Sequence, residues 1–167
     1  NLNLIVISVI ATLSNITPAN VAAQDYKAIL LPFDGNSGAT ALSNNGLITG
    51  WTQSRSTYIG NAVTWNASTA PLVIGDSKTI GKAVNDAGQA AGVTYSGYTT
   101  VHATLWQDGI AYNLGANGYN SNALAINASG QVVGWSGEDF RCCNMATLWD
   151  TANSQQRRLS EVESEAR

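Results

Sequence analysis

Charge is scarce in this chain. Of its 167 residues, 8 are Lys or Arg and 11 are Asp or Glu, which is 11% in all. A soluble globular domain carries about 25%. With so few basic residues and a net charge of −3, the chain lacks the clustered Lys and Arg of a nucleic-acid surface. Histidine occurs once, at His102, and the only cysteines are the adjacent Cys142 and Cys143. These exclude a zinc-finger framework and a dense disulfide scaffold. Long apolar stretches are missing too. The longest, Leu2 to Leu13, runs 12 residues without a charge, short of the ~20 that a membrane helix needs. In place of charge stand small residues: 23 Ala, 17 Asn, 15 Ser and 15 Thr.

The stretch from Leu2 to Leu13 has the length of a signal-peptide core. It is followed by a polar segment ending Val21-Ala22-Ala23, whose small residues suit cleavage before Gln24. Residues 1–23 therefore read as a signal-peptide-like segment that begins inside the signal. The competing reading is a retained anchor or packing helix.

From there on the chain repeats. Ala41-Leu-Ser-Asn-Asn-Gly-Leu-Ile-Thr-Gly50, Ala83-Val-Asn-Asp-Ala-Gly-Gln-Ala-Ala-Gly92 and Ala125-Ile-Asn-Ala-Ser-Gly-Gln-Val-Val-Gly134 align without gaps, each 42 residues from the last. An Ala-x-x-Trp motif follows in each unit, at Ala62–Trp65, Ala103–Trp106 and Ala146–Trp149. A closing element, Val73-Ile-Gly75, Asn113-Leu-Gly115 or Arg158-Leu-Ser160, ends the unit. Such self-similarity marks a repeat architecture.

Each unit reads as four short strands. Ser43–Gly46, Asn85–Gly88 and Asn127–Gly130 carry hairpin chemistry, with Asn capping its own backbone and Gly supplying a positive φ. Gly50, Gly92 and Gly134 inside a strand pattern predict a bulge or a close backbone approach. Ala and Trp three apart fall on opposite faces of a strand. No segment beyond the N-terminal one has a helical period. The expected fold is all-β, a β-propeller-like array of four-stranded units of about 42 residues, the length of a propeller blade. The repeats lie near 37–75, 79–115 and 121–160 within a domain of residues 24–167. Tyr26–Leu31 reads as the last strand of a preceding unit, and a fourth unit begins near Ser164. Three complete and two partial units imply a piece of a longer protein. A solenoid-like or oligomeric stack of the same blades is the rival.

These motifs, Ala-[IV]-Asn-[DA]-x-Gly-Gln-x-x-Gly followed by His102-Ala-Thr-Leu-Trp106 and Asn113-Leu-Gly115, resemble the bacterial HAF-family extracellular repeat. The resemblance covers about residues 26–167. Thr104 stands where the family's name calls for Phe, and the His position holds Asn61 and Met145 in the other units. The resemblance implies an exported, repeat-built β protein, and it carries no catalytic residues.

Candidate chemistry is thin. His102 shares its repeat position with Asn and Met, which fits packing better than proton transfer. Asp86 and Asp108 lack the alternating oxygen ligands of a calcium loop. Neither catalytic residues nor a metal or cofactor site is expected. Cys142 and Cys143, placed in the loop before the third Ala-x-x-Trp strand, are a disulfide candidate. Adjacent Cα atoms lie ~3.8 Å apart, so a vicinal bridge is a strained ring, and bridges to another chain or to a missing part of this one stay open. Trp65, Trp106 and Trp149 recur in register as packing residues. Trp51, Tyr58, Tyr95, Tyr98 and Trp135 follow the repeat Gly or fall in the variable loops 52–60, 94–101 and 136–144, where binding usually resides. They are the candidate ligand contacts.

The functional expectation is a secreted, periplasmic or cell-surface repeat protein acting as a binding or scaffold module. Its partner would be a surface glycan or protein, with no nucleic acid, and with membrane contact only through an uncleaved N-terminal segment. The alternatives are a propeller-based carbohydrate-active enzyme and a self-associating subunit of an extracellular filament or assembly.

Overall fold

The computed structural model describes residues 27–33, 35–53, 60–66, 69–97, 100–115, 120–139, 142–151 and 155–158. The chain divides into two compact units, Asn1–Leu30 and Leu31–Arg167. In the first, only residues 27–30 are described, and they carry no regular secondary structure.

The second unit is all β, with twelve strands and no helix among the described residues. The strands form three four-stranded antiparallel sheets, each in plain sequence order. The first holds β1 (Asn36–Leu42), β2 (Ile48–Gln53), β3 (Asn61–Trp65) and β4 (Leu72–Ser77). The second holds β5 (Thr79–Val84), β6 (Ala90–Ser96), β7 (Thr100–Gln107) and β8 (Ile110–Asn113). The third holds β9 (Ser121–Ile126), β10 (Val132–Asp139), β11 (Cys142–Asp150) and β12 (Gln155–Arg158).

The first hairpin of every sheet closes by the chemistry expected of it. Gly46, Gly88 and Gly130 take φ values of 86°, 82° and 81°. Their amides donate to the carbonyls of Ser43, Asn85 and Asn127, each at 3.1 Å. Asn85 Oδ1 accepts the amides of Ala87 at 3.1 Å and Gln89 at 3.0 Å. Asn127 Oδ1 does the same for Ser129 at 3.1 Å and Gln131 at 2.9 Å. In the first sheet Ser43 Oγ takes over, accepting from Leu47 at 3.0 Å.

The repeat glycines are explained by a bulge. The register of the first strand slips between Ala39 and Ala41, between Gly81 and Ala83, and opposite Val133 and Gly134. The slip pushes a first-strand carbonyl toward the second strand. A Cβ on Gly50, Gly92 or Gly134 would collide with the carbonyl oxygen of Gly38, Ile80 or Asn122 respectively. Both readings of these glycines, bulge and close approach, therefore hold at once.

Adjacent sheets bury their faces against each other. Ala62 packs with Val84, Ala90 and Trp106, supported by Ala41, Leu47 and Ile74. One phase later Ala91, Ala103 and Leu105 pack with Ala123, Val132 and Trp149, supported by Leu114 and Ile126. Ala103 thus faces the third sheet while Trp106 faces the first, the split that their three-residue spacing requires. Polar bonds cross the same seams. The Ala62 amide donates to Thr79 Oγ1 at 2.7 Å, and the Ala103 amide donates to Ser121 Oγ at 2.9 Å. Closing-element glycines make room for these hydroxyls: a Cβ on Gly75 would lie 2.6 Å from Thr79 Oγ1, and one on Gly115 would strike Ser121 Oγ.

Three expectations are corrected. Residues 27–33 form no strand, because they make no ladder pairing and an isolated strand leaves its backbone polar groups without β partners. The variable loops are shorter than expected, because hairpin pairing runs on through Tyr95↔Val101, Ser96↔Thr100 and Asp139↔Cys142. For the same reason Cys142 and Cys143 open strand β11 and do not sit in a loop. The signal-like segment 1–23 and the residues around Ser164 lie outside the described residues.

Candidate functional site

The outer face of the third sheet carries apolar side chains that no described sheet covers. Its cross-strand pairs are Val133↔Leu148 and Trp135↔Ala146, with Asn122 opposite Trp135 on the other side. Most equivalent positions in the other sheets are sealed, although Trp51, the first-sheet counterpart of Trp135, is half-buried as well. Thr49 and Ala91 are completely buried where Val133 is 39% exposed. Ala62 and Ala103 are completely buried where Ala146 is exposed. Val93, the counterpart of Trp135, is buried in the seam between the second and third sheets, while Trp135 is only half-buried. An indole flanked by aliphatic side chains on a sheet face offers a stacking surface for an apolar group or a sugar ring.

The candidate aromatics do not converge. Trp51 lies in β2 of the first sheet, half-buried, with its indole over Gly38, where a Cβ would come within 2.6 Å of Nε1. Tyr95 lies in β6 and is 37% exposed, its amide donating to the Lys78 carbonyl at 2.8 Å. Trp135 lies in β10, with the second sheet packed between it and Trp51. Tyr58 and Tyr98 lie outside the described residues. For Cys142 and Cys143 only the strand backbone is described.

His102 is partly buried. It sits in β7 opposite Thr94, with Nδ1 buried and without a hydrogen-bond partner among the described residues. Trp65, Trp106 and Trp149 likewise bury their indole nitrogens unpartnered. A Cβ on Gly75 would lie 3.0 Å from Trp106 Nε1, so this glycine leaves the ring its place. The area an indole buries outweighs the ~1–3 kcal/mol cost of one unmet donor.

The hairpin turns form a second polar feature, a row running from sheet to sheet. Asp86 accepts from the Asn45 amide at 3.0 Å and from Asn44 Nδ2 at 3.2 Å, while Asn45 Nδ2 donates to the Asp86 carbonyl at 2.9 Å. The Asn45 backbone bond, followed by the Asn44 side chain, holds the Asp86 carboxyl below its usual range. Onward, Asn85 Nδ2 donates to the Asn127 carbonyl at 3.0 Å. Beside the row, Lys82 Nζ donates to Asn122 Oδ1 at 2.9 Å, and burial lowers the Lys82 pKa. Sequence reasoning took Asp86 as a turn residue and missed that it ties two units together. The signal available was that Asn45 and Asp86 fall one repeat apart, less one residue.

Among the described residues no three His, Cys, Asp or Glu side chains gather closely enough to hold a metal ion. No described helix is long and apolar enough to cross a membrane. The arrangement can hold a partner by stacking and by strand-face contact. Compared with known proteins, the chain matches no family model, no curated protein and no solved structure.

Proposed function

We propose that this protein is a secreted or cell-envelope repeat protein of HAF type, acting as a binding or scaffold module for a surface glycan or protein. Its sheets are blades arranged in the manner of a β-propeller. The observation that carries this reading is the double use of one seam, in which the Ala amide of one unit meets the Ser or Thr hydroxyl of the next. Units joined this way are rigid, and they leave strand faces and hairpin ends free for recognition. The resemblance of the repeat motifs to an extracellular family and the signal-like residues 1–23 support export. The scarcity of charge fits units that turn both faces of their sheets toward neighbours.

The test has two arms. Expressed with its N-terminal segment in a bacterial host, the protein should be recovered outside the cytoplasm with Gln24 as its first residue. Cytoplasmic retention of an intact chain overturns export. The folded protein should bind at least one class of envelope polysaccharide or surface protein, with quenching of tryptophan fluorescence that Trp135→Ala removes. Failure across a glycan array and an envelope extract overturns the binding reading.

A further inference from the structure

We propose that Asn45 is a site of spontaneous deamidation, and that its conversion to a carboxylate cuts the tie between the first two units while sparing the hairpin that carries it.

Asn45 precedes Gly46 and forms one of two Asn-Gly pairs in the chain, the other being Asn117-Gly118, outside the described residues. With no Cβ, glycine hinders least the attack of its own backbone nitrogen on the preceding side chain. At the same turn position the other units carry Ala87-Gly88 and Ser129-Gly130, which have no side-chain amide to lose. Asn45 and Gly46 are both exposed, and a Cβ on Gly46 would meet nothing within 4 Å. The only co-reactant is water. The Gly46 nitrogen bonds to Asn45 Cγ, and the side-chain nitrogen leaves as ammonia, taking up the Gly46 amide proton. Water then opens the resulting imide ring at either carbonyl, giving Asp or isoAsp.

The folded turn opposes the first step. The Gly46 amide donates to the Ser43 carbonyl at 3.1 Å. From the next unit, Asp86 accepts the Asn45 amide at 3.0 Å and Asn44 Nδ2 at 3.2 Å. The attacking nitrogen and the residue it attacks are both held until the turn opens. Asp86 therefore controls how often the reaction can start.

The two ends of the Asn45 amide serve different units. Oδ1 belongs to the hairpin, accepting from Ser43 Oγ at 2.6 Å and from the Leu47 amide at 3.3 Å. Nδ2 belongs to the neighbour, donating to the Asp86 carbonyl at 2.9 Å. A carboxylate keeps the first oxygen and both of its bonds. It replaces the donor with an acceptor that faces the Asp86 carbonyl oxygen, and it sets a negative charge beside the Asp86 carboxylate. The tie between units is lost and the turn survives. The isoAsp product goes further, because it adds a methylene to the main chain of the turn.

The test incubates the full chain in warm, mildly alkaline buffer and maps its peptides by mass spectrometry over time, with Asn117 as an internal clock. Asp and isoAsp should accumulate at position 45. In Asp86→Ala the ratio of conversion at Asn45 to that at Asn117 should rise roughly three- to tenfold, as loss of hydrogen bonds to a charged group allows. Asn45 intact in both chains at the end of the incubation overturns the site, and an equal ratio in the two overturns control by Asp86. Asn45→Asp, which stands for the Asp product, should lower the urea midpoint at neutral pH, and adding Asp86→Asn should recover most of that loss. An Asn45→Asp variant as stable as the wild type shows that no tie is cut. A loss that Asp86→Asn does not recover belongs to the hairpin itself, and overturns the claim that the turn is spared.

Discussion

The Thr79 hydroxyl accepts the backbone amide of Ala62 at 2.7 Å and donates to the Asp76 carbonyl at 2.6 Å. One side chain at the start of β5 thereby satisfies a buried donor in β3 and secures the turn that leaves β4. Thr79→Ala removes the acceptor and leaves the Ala62 amide buried and unpaired, at a cost of about 1–3 kcal/mol. Thr79→Ser keeps the oxygen and should cost less than half as much. Urea denaturation monitored by circular dichroism distinguishes them, and equal losses from both variants would contradict the hydroxyl's role.

Glycines of the same repeat should differ in why they resist substitution. Gly92→Ala drives a methyl group into the Ile80 carbonyl, which rigid backbone cannot yield without breaking the bulge. Overpacking of that kind costs about 1–3 kcal/mol or more. Gly88→Ala meets nothing within 4 Å and suffers only from its φ of 82°, a penalty of about 1–2 kcal/mol. Thermal melts should rank Gly92→Ala as the worse of the two.

Asp86 makes stability depend on acid. Its folded pKa lies below the usual 3.8, chiefly through the Asn45 amide and then Asn44. A carboxyl depressed on folding contributes stability that is fully present above its unfolded pKa. That contribution is lost as pH falls through the folded value. The denaturation midpoint of the wild type should decline below about pH 4, as linkage at a carboxylate requires. Asp86→Ala should show a weaker decline over the same range and little pH dependence from this site above it.

Trp106 and Trp135 should separate stability from recognition. Trp106 is buried against the first sheet, and truncating it to Ala costs about 3–5 kcal/mol. Trp135→Ala, on the open face of the third sheet, should leave the melting temperature nearly unchanged while abolishing the ligand-dependent fluorescence change. A large loss of stability in Trp135→Ala would place that residue in the core.

Much of the architecture was legible from local chemistry. Asn or Ser followed three residues on by Gly specifies a hairpin through its own hydrogen bonds and one positive φ. Such a turn forms in the same way wherever it occurs. The three-residue spacing of Ala103 and Trp106 assigns opposite faces because side chains alternate along any strand. The candidate site was less legible. Trp51 and Trp135 share a motif position and read alike, and Tyr95 read as a loop residue until its strand partner Val101 was placed beside it.

Sequence by itself therefore determined the strand count per unit, the turns and the 42-residue phase, since each follows from interactions between near neighbours along the chain. Tertiary structure alone decided what each repeated position does. Val93 is sealed and Trp135 is open, Thr79 caps an amide and Ser37 stands exposed, although the motif around each is the same. The physical reason is that burial and hydrogen-bond partnership belong to the sheet lying opposite. That sheet comes from residues some 40 positions away along the chain, as the bond from Lys82 to Asn122 illustrates.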